Sequence, residues 1–159
     1  MPKFSTRSKN RLGTIHRDLH ILFGEYVIKY FDCTVLYGLR SPEEQFELYK
    51  KGRKEVDDKW LVEDSRKIVT YKDGYLKKSK HNYIPSLAVD VAPYYVEKPH
   101  IRWDDTDTLY YFAGLVMGIA TLLKELKIIE SDIIFGGNWD NDQDLHDQTF
   151  MDLVHFQIA

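Results

Sequence analysis

The sequence predicts an α+β fold: one domain whose helices pack on one face of a small, mostly antiparallel sheet and leave the other face open. Three observations carry this. The 159 residues suffice for one core without disulfides, so we read 1–159 as a single domain. Two stretches, about 8–30 and 105–127, repeat apolar residues at helical spacing. Short stretches at 88–92 and 154–158 alternate instead with the period of a strand that has one apolar and one polar face.

From Ser8 to Tyr30, the positions Leu12, Ile15, Leu19, Leu22, Phe23, Tyr26 and Val27 make one buried stripe of a single amphipathic helix with a structural role. His16 and His20 stand four apart on it, but Arg17 occupies the place where a zinc-binding helix carries Glu, so they are not read as ligands. Thr34–Tyr37 reads as a strand, with the lone Cys33 a small buried residue at its start. Gly38 breaks that strand. Ser41, Pro42 and Glu44 then form a helix start with a capping box, and Gly52 ends the helix. This fixes Arg40 at a strand-to-helix junction and Gln45 near the first turn. Residues 53–78 form a densely charged excursion beside the site, either a solvated loop or a flap, with a hairpin turn expected at Asp73-Gly74.

Asp105, Thr106 and Asp107 are candidate caps for the most apolar helix, whose stripe includes Leu109, Phe112, Ala113, Val116, Met117, Ala120, Leu123 and Leu126. Gly114 and Gly118, four apart, suggest close packing of that helix on the sheet. Ile133–Trp139 reads as a strand ending in a bend. After it, Asp140, Asp142 and Asp144 have the alternate spacing that opens a calcium loop, yet Leu145 stands where such a loop needs Gly and Met151 where it needs Glu. An EF-hand is thereby excluded, leaving a looser calcium site or a solvated acidic loop.

With 22 basic and 25 acidic residues the net charge is −3, which argues against nucleic acid as the main partner. The N-terminus has no apolar signal region and no segment approaches a membrane span, so a cytoplasmic, monomeric protein is expected.

The chemistry concentrates in two stretches, Ser79-Lys80-His81 leading to Ala88-Val89-Asp90-Val91-Ala92, and Asp152-Leu153-Val154-His155-Phe156. On a strand, Val89 and Val91 share one face and Asp90 the other, while Val154, Phe156 and Ile158 place His155 and Gln157 on the polar face. Taken singly, such a His is an ordinary hydrogen-bonded residue and such an Asp a turn former. Together, His81, Asp90 and His155 supply a three-ligand set that leaves the fourth position open, as in a catalytic zinc site. Asp152 is then a spare carboxylate able to accept a proton.

These motifs, with Gly38-Leu39-Arg40-Ser41-Pro42-Glu43-Glu44-Gln45 and the following Leu48-Tyr49, resemble the zinc peptidases of the D-Ala-D-Ala carboxypeptidase and phage L-alanyl-D-glutamate endolysin group, which share a fold with the hedgehog signalling domain. The resemblance runs from about Val35 to Ile158. One departure is that nine positions separate His81 from Asp90 where relatives have seven, a two-residue loop insertion at the rim. The resemblance implies zinc on His81, Asp90 and His155, substrate contacts from Arg40, Gln45 and Ser79, and hydrolysis of peptidoglycan stem peptides. It implies, more narrowly, an endolysin that cuts L-Ala-D-Glu and reaches the wall through a holin. A D-Ala-D-Ala carboxypeptidase or dipeptidase, or a non-catalytic zinc module, are the alternatives; Asp152 and Arg40 weigh against the last.

Overall fold

Sheet order explains how motifs far apart in the chain meet. In the computed structural model, which describes residues 2–159, the main sheet runs β1 (Cys33–Tyr37), β4 (Ala88–Pro93), β6 (His155–Ile158), β5 (Ile133–Phe135), with every neighbouring pair antiparallel. Asp90 on β4 pairs with His155 on β6 and, across the other edge, with Tyr37 on β1. A register shift between Val35 and Tyr37 bulges β1 beside Asp90, which re-aims the chain toward Gly38. The remaining strands, β2 (Arg53–Val56) and β3 (Lys59–Val62), form a separate hairpin. Its turn is Asp57-Asp58, both at positive φ, and not the expected Asp73-Gly74. Two aspartates can take that conformation without glycine, which is why composition concealed the turn. Asp73 instead accepts the backbone N–H groups of Tyr75 and Lys77 and closes a tight loop against α4 (Pro42–Tyr49).

The N-terminal segment is not one helix. It divides into α1 (Thr6–Leu12), α2 (Arg17–Ile21), a π-helical turn (Leu22–Val27) and α3 (Ile28–Tyr30). The break at 13–16 is stabilised by a tertiary pairing: Ser86 N–H donates to Thr14 and His16 N–H donates to Ser86. Leu12, Ile15, Leu19, Leu22 and Phe23 are buried in either arrangement, so periodicity could not report the break. His16 caps α2 and His20 lies at hydrogen-bond distance from the Leu12 carbonyl. Asp18, 2 % exposed, accepts the N–H groups of Glu130 and Ser131 at 2.9 Å each and thus ties α2 to the chain entering β5.

The core lies between these helices, α5 (Thr106–Glu125) and one face of the sheet. Phe23, Phe112 and Phe156 are fully buried and meet edge to face. Burying each such ring stabilises the fold by about 1.5–3 kcal/mol. Cys33 is buried here, and burial pushes its thiol pKa far up, leaving it inert. By length and composition α5 is long and apolar enough to cross a membrane, contrary to expectation. Its stripe from Leu109 to Leu123 is nonetheless packed inside the domain. Leu126 is 60 % exposed and lies outside that stripe. A further correction concerns Gly114 and Gly118, which face open space and not the sheet.

Candidate metal centre

Local structure brings three ligand groups together on the sheet face opposite the core. Ser79 caps the short 3-10 turn Lys80–Asn82, its Oγ accepting the His81 N–H at 3.3 Å, while the Asn82 side chain closes the box on the Ser79 N–H. That turn delivers His81. β4 delivers Asp90, and β6 delivers His155 on the face away from Phe156. The three are only 2 %, 6 % and 7 % exposed.

His81 Nε2, His155 Nδ1 and Asp90 Oδ1 stand 3.0–3.3 Å from one another. Four ligands about 2.0 Å from a tetrahedral ion are separated by about 3.3 Å, so the observed triangle fits one face of such a tetrahedron. The outer nitrogens fix the tautomers. His81 Nδ1 donates to the Gly38 carbonyl at 2.7 Å, and His155 Nε2 donates to Gln157 Oε1 at 3.0 Å. Both inner nitrogens therefore present lone pairs beside a carboxylate oxygen. Three acceptors crowded this closely repel one another, and a single cation satisfies all three.

Electrostatics follow from the same crowding. Burial alone would raise the pKa of Asp90, but the two imidazoles crowded against it favour the ionised form and hold the carboxyl well below the usual range. For His155, burial favours the neutral ring, yet Asp90 outweighs it and the pKa rises. Asp152 is also raised, by burial first and by the Asp90 charge second, against opposing contributions from His155, the Val154 N–H and His81. A half-buried carboxyl that senses all three ligands lies beside the cluster. Gly136 makes this approach possible: Asp152 N–H donates to its carbonyl at 2.8 Å, and a side chain there would collide with the Asp152 backbone.

Arg40 is buried next to the cluster. Its Nη2 is 3.5 Å from Asp90 Oδ2, its Nη1 donates to Gln45 Oε1 at 2.9 Å, and its guanidinium lies over the Tyr37 ring. Nε has no partner. Gln45 is 1 % exposed, and its amide N–H groups donate to Thr70 and to the Lys72 carbonyl. Every polar atom of Gln45 is thus engaged within the protein, as the Ser79 hydroxyl is in capping. Gln45 thus braces Arg40, and Ser79 caps the turn that carries His81.

Three contributors escaped sequence reading: the Gly38 carbonyl, Gln157 and Trp139, whose indole packs on His155 with ring centroids 5.2 Å apart. Gln157 had a signal, since a residue two after His155 shares its strand face. Gly38 is required because a Cβ would meet Thr14 Oγ1 at 2.5 Å and the Arg11 carbonyl at 2.7 Å. Between His81 and Asp90 the chain exposes Tyr83 and Ile84, and Asp90 pairs with His155.

The acidic loop differs from expectation. The carboxylates that converge are those of Asp140, Asp142 and Asp147, all exposed. Asp144 instead accepts the His146 N–H. Gln148 Nε2 already bridges Asp140 and Asp147 at 3.0 and 2.7 Å, so an amide serves these oxygens and the spacing gives no independent support for calcium.

Comparison with known proteins places the chain as follows. A family model described as phage L-alanyl-D-glutamate peptidase matches residues 1–159. Among solved structures, the L-Ala D-Glu endopeptidase ChiX of Serratia marcescens is similar at a TM-score of 0.63 and 21 % identity, over 99 % of this chain and 90 % of that one. Likeness at that identity concerns the fold. No curated protein sequence matches.

Proposed function

Since the chain belongs to the phage L-alanyl-D-glutamate peptidase family, we propose that it is a metal-dependent endopeptidase hydrolysing the L-Ala-D-Glu bond of peptidoglycan stem peptides, with zinc as its metal. One observation carries the reading: two imidazoles and a carboxylate, each buried, converge with lone pairs inward while the outer nitrogens are held by Gly38 and Gln157. A two-nitrogen, one-oxygen donor set suits zinc, and it leaves a position open.

When bound, such an ion supplies an activated water and polarises the scissile carbonyl. Asp152 takes the proton from the attacking water at its carboxylate and returns it to the leaving D-Glu amine. A half-buried carboxylate beside the cluster is placed for both transfers. Arg40 steadies the negative charge that develops on the carbonyl oxygen or the carboxylate of the stem. Its 3.5 Å contact with Asp90 is longer than a charge-assisted hydrogen bond, so the guanidinium can turn to a substrate anion. Gln45 and the Tyr37 ring hold its other side. Trp139 screens His155 from water. Family membership also supports action as a lysis enzyme made in the cytoplasm and admitted to the wall through a holin.

Purified protein tests the proposal through metal content and peptidoglycan turnover. About one zinc per chain, with hydrolysis that His155→Ala abolishes together with the metal, is the expected result. A variant that binds zinc equally well removes His155 from the site.

A further inference from the structure

A second recess lies at the free edge of the main sheet, between α5 and β5, with a volume of about 450 Å³. Gly114 and Gly118 form its floor, since nothing lies within 4 Å of where their side chains would project. Tyr110, Met117 and Phe135 supply apolar walls, and the Tyr110 and Phe135 rings stand edge to face at 6.2 Å. Asn138, 9 % exposed, contributes to a further, polar wall, and its buried Oδ1 has no hydrogen-bond partner among the described residues. An unsatisfied buried amide oxygen is costly, and a ligand donor would relieve it.

We propose that this groove binds the glycan strand of peptidoglycan, seating an N-acetyl group against Asn138 and a sugar ring along Tyr110. The inference rests on the peptidase reading and extends it to a second part of the same substrate. Chemistry selects the occupant. An acetamido group pairs with a primary amide through its own N–H, places its methyl on the apolar floor, and belongs to a ring with one apolar face. Reach agrees. L-Ala is the only residue between the scissile carbonyl and the lactyl linker of the sugar, so the glycan lies one residue, about 3.8 Å, and a short linker from the reacting bond. On the protein side, Asn138 precedes Trp139, whose indole lies against His155. The Asn138-Trp139 dipeptide thus touches the recess with one side chain and the metal centre with the next. Lys124 and Asp132 pair with each other at its far end, so no net charge there favours an ionic ligand.

The test uses the full chain and the disaccharide of N-acetylglucosamine and N-acetylmuramic acid without peptide, followed by amide NMR shifts. Saturable shifts at Gly114, Gly118 and Asn138 are expected. Gly118→Leu should weaken them about tenfold or more, since Leu fills the floor while helix propensity favours it over Gly. An unchanged or raised melting temperature shows that this variant is folded, and Gly114→Leu repeats the measurement from the neighbouring turn. The proposal is overturned by absent shifts at these amides, or by shifts that both variants leave intact. It is also overturned if protein concentration alone, or a sugar-free stem peptide, produces the same shifts. The peptidase reading is judged separately, by whether the zinc-loaded wild type cuts stem peptides.

Discussion

Replacing Gln157 with Met should weaken metal binding without disturbing the fold. The Gln157 Oε1 accepts from His155 Nε2 at 3.0 Å and is the one group among the described residues that holds that nitrogen. Removing such an outer partner lowers metal affinity by about 10–100-fold, equivalent to about 1.4–2.7 kcal/mol. Met preserves length and unbranched shape, and the backbone pairing of position 157 with Ala88 and Ile134 does not depend on its side chain. Metal-free stability should therefore change by less than about 0.5 kcal/mol. Gln157→Glu keeps an acceptor and adds charge, so it should hold zinc at least as tightly as the wild type. Competition with a chromophoric chelator measures all three proteins. Affinity within twofold of wild type for Gln157→Met, or an equal loss in Gln157→Glu, would refute the argument that this acceptor sets the His155 tautomer.

Three further outcomes follow from other residues. Asp152→Asn should retain zinc by elemental analysis and lose about 10²–10⁴-fold in kcat; loss of the metal would make Asp152 a ligand, and near-wild-type turnover would make it a turn former. Arg40→Lys keeps a positive charge but not the fork, and kcat/KM on stem peptides should fall by about 10²-fold. Asp18→Ala should cost about 2–4 kcal/mol in denaturant unfolding at neutral pH, because two charge-assisted bonds to Glu130 and Ser131 are lost. Burial opposes ionisation of Asp18, but hydrogen bonds from Ser131 and Glu130 prevail and lower its pKa. Its contribution is thus present above the ordinary carboxylate value of 3.8 and lost as pH falls through the lowered one, so the gap between wild type and variant should close in acid.

The convergence of Asp90 and His155 on one sheet face was legible because strand alternation separates them from Val89, Val91 and Phe156 without any tertiary knowledge. The capping box at Ser41–Glu44 was legible for a similar reason, being written in four consecutive residues. What escaped depends on contacts between distant segments. The break at 13–16 exists because Ser86 pairs there, and Ser86 is 70 positions or more away in sequence. The hairpin at Asp57-Asp58 carries no glycine, whereas Asp73-Gly74 looks like a hairpin but serves a loop that closes on α4. That Gln45 accepts from Arg40, and that Ser79 accepts the His81 N–H, is visible only in the coordinates.

The most direct test of the central claim is mass spectrometry of purified peptidoglycan digested by the zinc-loaded protein. The account predicts glycan fragments that retain only L-Ala, together with stem peptides that begin at a free D-Glu amine. Release of terminal D-Ala with the L-Ala-D-Glu bond intact, or no digestion by protein of full zinc content, would contradict it.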